Sequence, residues 1–121
     1  MIPLWIVLAG GLGAVSRFVA DGLLRTVVGR IFPWSTVIIN VSGSLLLGVL
    51  TGLALRYQAD ATIKLIWGFG FCGGYTTFST ASYEAVRLVE ERRIVDATVH
   101  VLSNFVLAVC VFILGVFIAS A

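Results

Sequence analysis

The residues able to do chemistry gather in one stretch, Gly68 to Ser82, which reads GFGFCGGYTTFSTAS. Gly68, Gly70, Gly73 and Gly74 give way there to the hydroxyls of Thr76, Thr77, Ser79, Thr80 and Ser82. The stretch lies inside an apolar segment running from Ile63 to about Leu88. Adjacent glycines followed by adjacent threonines lower helix propensity, so a helical span is expected to break here. Backbone that leaves the helix at membrane depth must be buried in protein or line a watery cavity. The upstream half-helix then ends in free carbonyls suited to a small cation. The downstream half begins with free N–H groups suited to an anion. The chemistry predicted is ion binding.

The remaining polar residues are few. Asn40 shares a helical face with Gly43 and Ser44; an intramembrane Asn serves as interhelical glue or offers two donors to an anion. His100, Ser103 and Asn104 stand at i, i+3 and i+4, one face of a helix. Three polar groups on one embedded face predict a bundle interior or a water-lined path. With no carboxylate nearby in sequence, His100 reads as a hydrogen-bonded helix contact. Arg17 can pair with Asp21 one turn later, snorkel to an interface, or line an aqueous vestibule. An enzyme is not indicated: no nucleophile has a base, no zinc spacing occurs, and no carboxylate pair lies outside the charged stretch Arg87 to Arg93. Cys72 and Cys110 read as free thiols within spans.

These groups must be held by membrane helices. The chain has 121 residues, 60% of them hydrophobic, and a mean hydropathy of +1.08. A soluble domain of this size could not hide so much apolar surface. Four spans of the ~20 residues a bilayer requires are predicted, about Pro3–Leu24, Thr36–Leu55, the broken Ile63–Leu88 and Val95–Ser120. They make a single all-α membrane domain over 1–121. The N-terminal apolar run continues past Ala14 without a basic leader, so it reads as the first span rather than a signal peptide. Gly10, Gly11, Gly13 and Ala14 in the first span, and Ser44, Gly48 and Gly52 in the second, form small faces for close packing. The connector Arg25 to Ser35 reads as an interfacial loop, with Pro33 placed to open the second helix. Net charge is +2 with no long basic cluster, so lipid is the expected environment and nucleic acid is not a partner. A proton-coupled four-helix exporter is the competing class. It needs a mid-membrane acid, whereas Asp21 and Glu84 stand toward span ends. Neutral hydrogen-bonding groups fit a channel better, and so small a bundle calls for a dimer.

The strings FCGGYTTFST, GGLGAVSR at Gly10 to Arg17, and Asn-x-x-Gly at Asn40 to Gly43 resemble the Fluc (CrcB) fluoride channels over essentially the whole chain. That resemblance implies passive export of toxic fluoride across the cell membrane by an antiparallel dimer with two pores and one central structural sodium ion (Na+). It implies carbonyls of Gly73 and Thr76 as the sodium ligands and Asn40 and Phe78 as fluoride-facing residues. The hydroxyls Thr77, Ser79 and Thr80 join the pore, as do His100 and Asn104, in positions where the family often has a tyrosine and a serine. Arg17 matches a vestibule arginine. One departure stands out: the second phenylalanine of the family's aromatic box falls at Ala81. The connecting loops are also unbalanced, with Arg25, Arg30, Arg92 and Arg93 on one side, Arg87 close by, and Arg56 and Lys64 on the other. That bias favours one orientation. A homodimer is the commoner arrangement; the missing ring and the bias together raise a heterodimer with a homologous subunit of opposite orientation.

Overall fold

Apolar runs this long become helices because only a helix satisfies its own backbone in lipid. The computed structural model describes residues 1–29, 31–58 and 61–121; Arg30, used in the loop-charge expectation, lies outside them. Helix α1 spans Ile2–Val28 and α2 spans Trp34–Tyr57. Helix α3 covers 61–75, with a π-helical middle over Leu65–Cys72 and a last turn Gly73–Tyr75. Helix α4 is Phe78–Glu90. Helix α5 runs over Ile94–Ser120, with a π-helical stretch at Ser103–Leu107. Among the described residues α1, α2 and α5 are long and apolar enough to cross a membrane. The stretch 61–90 is divided between α3 and α4.

Helix α1 outlasts its expected end at Leu24, so Arg25 sits in its last turn rather than in a loop. A cation is favoured there by the exposed carbonyls. Pro33 immediately precedes α2, as its lack of an N–H allows.

Two seams of small residues bring the helices together. Along α1 and α3, a Cβ on Gly70 would lie 2.9 Å from the Ala9 Cβ, one on Gly13 would meet the Phe71 carbonyl, and one on Gly74 would overlap the Gly10 carbonyl. Along α2 and α5, Gly48 faces the Phe112 carbonyl, and a Cβ on Gly115 would lie 2.9 Å from the Leu45 carbonyl. Glycine serves in these seams as absence of bulk, which lets backbones approach and gain dispersion contacts where hydrophobic burial offers none.

The helical path stops after Tyr75 and restarts at Phe78. Thr76 (φ −78°, ψ 160°) and Thr77 (φ −145°, ψ 120°) are extended, which suits β-branched side chains. Gly73 has ordinary helical angles (φ −62°, ψ −39°). The glycine pair therefore does not supply an unusual dihedral: Gly74 supplies room for α1, and the threonines supply the extension.

Candidate functional site

An extended pair of residues between two helices strands its own N–H and C=O groups, which need partners. Asn40 of α2 supplies them. Its Oδ1 accepts from the Thr77 N–H at 2.8 Å, and its Nδ2 donates to the Thr77 carbonyl at 3.1 Å. Gly43, one turn on, makes room for the Thr76 methyl and the Tyr75 ring. Thr77 then caps α4, its Oγ1 accepting from the Thr80 N–H at 3.1 Å.

The other Asn40 N–H donates to Asn104 Oδ1 at 2.7 Å. Asn104 spends its own Nδ2 on the His100 carbonyl at 2.8 Å and on His100 Nδ1 at 3.2 Å. His100, fully buried, reaches the Ala81 carbonyl through Nε2 at 3.1 Å. The row therefore runs Thr77, Asn40, Asn104, His100, Ala81, tying α2, α4 and α5 together. Each amide N–H of Asn40 and Asn104 already has an acceptor within the chain. The two asparagines act here as helix glue, and an anion accepting from either would have to displace one of these internal acceptors.

This row forms one wall of a groove of about 810 Å³, open along one side of the subunit. Asn40, Thr77, Phe78, His100 and Asn104 all line it, as do Gly73 and Thr76. Phe78 is 86% exposed there. The Gly73 carbonyl lacks its usual helical donor because the Thr77 N–H goes to Asn40. The Thr76 carbonyl lacks its own because the Thr80 N–H goes to Thr77 Oγ1. Both are neutral oxygens of the kind a hard cation takes. Ser79 is exposed and lines no part of the groove, and Ser103 stands outside it too. Thr80 lines a second cavity, of about 160 Å³, together with Arg17, Asp21, Thr36 and Thr77. Thr77 belongs to both cavities and so stands between the Arg17 side and the groove.

Arg17 does not pair with Asp21. Asp21 is taken by Arg25, on the opposite side in sequence, at 2.9 Å and by the Ser35 hydroxyl at 2.5 Å. Arg17 has no hydrogen bond or ion pair to any described residue; it lines the small cavity beside Asp21, with which it interacts only through space. A second correction concerns His100, which has a carboxylate neighbour after all. Glu84, from α4, is buried and places Oε1 3.9 Å from His100 Nε2. Glu84 also accepts from Thr36 Oγ1 at 2.5 Å and from Arg25 Nη2 at 3.4 Å. Phe32, from the α1–α2 connector, lies edge-on to the imidazole with ring centroids 5.9 Å apart. This group of buried Thr36, Glu84 and His100 with half-buried Arg25 was not expected. Its members are 11 to 75 residues apart, and the only hint in sequence was that Glu84 falls two turns beyond the helix restart, on the Ala81 face.

The fold and site define a class first: an all-α membrane protein whose few embedded polar groups converge on an interrupted helix. The chain matches the family model described as CrcB-like protein, Camphor Resistance (CrcB), over residues 4–116, and it belongs to that family. It is 53% identical over 93 residues to a protein of Leifsonia xyli subsp. xyli named fluoride-specific ion channel FluC 1, covering 77% of this chain and 68% of the relative. It is 44% identical over 116 residues to fluoride-specific ion channel FluC of Syntrophotalea carbinolica, covering 95% and 94%. A Mycobacterium bovis protein, fluoride-specific ion channel FluC 2, is 41% identical over 121 residues, covering 98% and 93%. The family is one of channels rather than enzymes.

Proposed function

We propose that the chain forms a passive, fluoride-selective channel of the cell membrane, working as an antiparallel dimer with two pores. The observation that carries this reading is the amide pair Asn40–Asn104 at the groove wall, one bond from the interrupted backbone at Thr77. Fluoride holds water strongly, so a path for it must replace lost hydrogen bonds nearly one for one without a fixed charge that traps the ion. Amide N–H groups, threonine hydroxyls and the positive ring edge of Phe78 are such neutral donors. Arg17 lines the small cavity without a hydrogen-bonded partner, while Asp21 beside it is held by Arg25, so the guanidinium raises the local anion concentration. Thr77 lines both that cavity and the groove, and selectivity against the larger chloride calls for a narrow path between them.

The groove is open on this subunit, so a pore needs a second wall. Phe69, Phe78 and Phe105 line it and are strongly exposed, and a second copy packed antiparallel would cover them. A homologous subunit is the alternative partner, because Ala81 leaves a position on the groove without a ring. The carbonyls of Gly73 and Thr76 suit a central Na+, which bound there would hold two interrupted helices together without being transported. A proton-coupled exporter is the competing function, and the approach of Glu84 to His100 is the observation in its favour.

The test is efflux from liposomes loaded with potassium fluoride, with a potassium ionophore to carry counter-charge and an electrode to read fluoride. Rapid fluoride efflux, absent with chloride and needing no imposed pH gradient, is expected. Equal chloride efflux, or efflux only down a proton gradient, overturns the channel.

A further inference from the structure

The extended pair Thr76–Thr77 breaks the run of helical hydrogen bonds between α3 and α4, so its conformation is set by what anchors either end. At the downstream end Asn40 Oδ1 takes the Thr77 N–H. A trans peptide points its carbonyl opposite to its N–H, so that bond aims the Thr76 carbonyl away from Asn40. At the upstream end stands Tyr75, the last residue of α3, and its side chain is anchored on the same helix. Tyr75 Oη lies 3.0 Å from Ser42 Oγ, and Ser42 Oγ donates to the Ile39 carbonyl at 3.0 Å. A serine hydroxyl has a single hydrogen to give, so the phenol is the donor to Ser42.

The ring carrying that hydroxyl is itself confined. Phe71, one turn earlier, lies nearly parallel to it, with centroids 5.8 Å apart and planes 11° off. Trp67 stands a further turn back, 5.9 Å from Phe71. A Cβ on Gly43 would come 3.1 Å from Tyr75 Cδ2 and closer still to the Thr76 methyl. Thr76 is fixed in turn: its N–H and its Oγ1 both donate to the Cys72 carbonyl, at 2.9 and 2.8 Å. The threonine hydroxyl is thereby spent, and what Thr76 has left to offer is its carbonyl oxygen. Asn40, Ser42 and Gly43, close together on α2, thus grip residues 75 to 77.

We propose that Tyr75, seated by its hydroxyl on Ser42, is a positioning residue for a cation held by the Gly73 and Thr76 carbonyls. The proposal rests on the sodium reading above and deepens it. Gly73 and Thr76 line the groove, whereas Tyr75 and Ser42 do not, so the phenol acts through the backbone and is not a ligand. Gly73 shares the last turn of α3 with Tyr75, and Thr76 follows directly, so a shift of the ring moves both carbonyls together. Asn40 grips only the far end, at Thr77, and leaves Gly73 to the Tyr75 anchor. Carbonyls in place before a cation arrives bind it more tightly than carbonyls ordered on binding, because apparent affinity scales with the fraction of molecules already competent.

The test is thermal unfolding in detergent at fixed protein concentration, with NaCl exchanged for N-methylglucamine chloride so that ionic strength and chloride stay constant. An ion that binds only the folded protein raises its melting temperature, so Na+ should stabilise the parent along a saturable curve. One net hydrogen bond corresponds to roughly fivefold in an equilibrium constant. Tyr75→Phe keeps the stacked ring and removes only the hydroxyl, so its half-saturating Na+ should rise about two- to fivefold. Ser42→Ala should shift by the same factor and the double variant no further, while Ser42→Thr, which keeps a hydroxyl, should titrate with the parent. Should Tyr75→Phe fail to fold, the comparison of Ser42→Ala with Ser42→Thr decides. A purely structural tyrosine lowers the melting temperature equally at every Na+ concentration. That result, with the midpoint unmoved, overturns the positioning role and leaves the sodium site standing. Shifts that multiply in the double variant overturn the Tyr75–Ser42 bond as their common cause. A parent whose melting temperature ignores Na+ overturns the sodium reading and the positioning role with it, and leaves fluoride conduction to the efflux assay.

Discussion

Replacing Asn40 with aspartate changes one NH2 to one oxygen and almost nothing in shape. In the parent, Nδ2 donates to the Thr77 carbonyl at 3.1 Å and to Asn104 Oδ1 at 2.7 Å. In Asn40→Asp both contacts become oxygen against oxygen. Two hydrogen bonds at about 1 kcal/mol net each are lost, and two acceptors are left facing a charge, so the interrupted segment is destabilised by about 2–4 kcal/mol. Aspartate that takes up a proton regains one of the two donors, so the loss shrinks in acid. Conduction suffers more. A unit charge ~4 Å from a passing anion repels it by about 4 kcal/mol at an effective dielectric of ~20, close to a thousandfold in occupancy. Fluoride efflux from liposomes should therefore fall at least ~100-fold while the protein still elutes at the size of the parent, with a lower melting temperature in detergent. An aspartate variant that melts with the parent and conducts within twofold would refute both the hydrogen-bond assignment and the place of Asn40 on the anion path.

The glycine pair separates packing within the subunit from packing outside it. Gly74→Ala sets a methyl against the Gly10 carbonyl and should destabilise the subunit by ~1–3 kcal/mol, read by thermal aggregation in detergent. Gly73→Ala meets nothing within 4 Å in its own chain and is helical already, so the subunit should gain ~0.5–1 kcal/mol. A fall in chemically crosslinked dimer for that variant would then locate the neighbour of Gly73 in a second copy. Phe78→Ile keeps bulk at an exposed position and removes the polarised ring edge, so stability should hold while fluoride flux slows about 2- to 10-fold. Accessibility of a cysteine introduced at Gln58, tested from each side of the membrane with the lone chain expressed, decides the partner. Labelling from both sides with full flux means a homodimer, and labelling from one side only means a partner of opposite orientation.

The helices and their seams were legible because they depend on composition and on short-range spacing. Apolar runs gave spans, and Gly48 with Gly52, or Gly10 with Gly13, marked the faces that touch. The interruption was legible for the same reason, as a local cluster of poor helix formers. Its detail was not: glycine followed by threonine does not say which residue bends, and the answer depended on Gly10 pressing against Gly74 and Asn40 receiving Thr77. Helical phase is also lost across an extended pair, which is why Thr80 turned to the Arg17 cavity and Ser79 away from both. Asp21 had an arginine four residues to either side, and periodicity alone cannot choose between Arg17 and Arg25. The contact of Glu84 with His100 joins two helices across a turn and needed the three-dimensional packing. The π-helical stretches in α3 and α5 shift side-chain register in a way that composition does not encode.

Passive fluoride selectivity is tested most directly by the reversal potential of the reconstituted protein in a planar bilayer with fluoride and chloride on opposite sides. A fluoride channel gives a reversal potential that moves by ~59 mV for each tenfold change in fluoride and stays still when chloride or pH is changed. A reversal potential that follows chloride, or that moves with the proton gradient, would contradict the account.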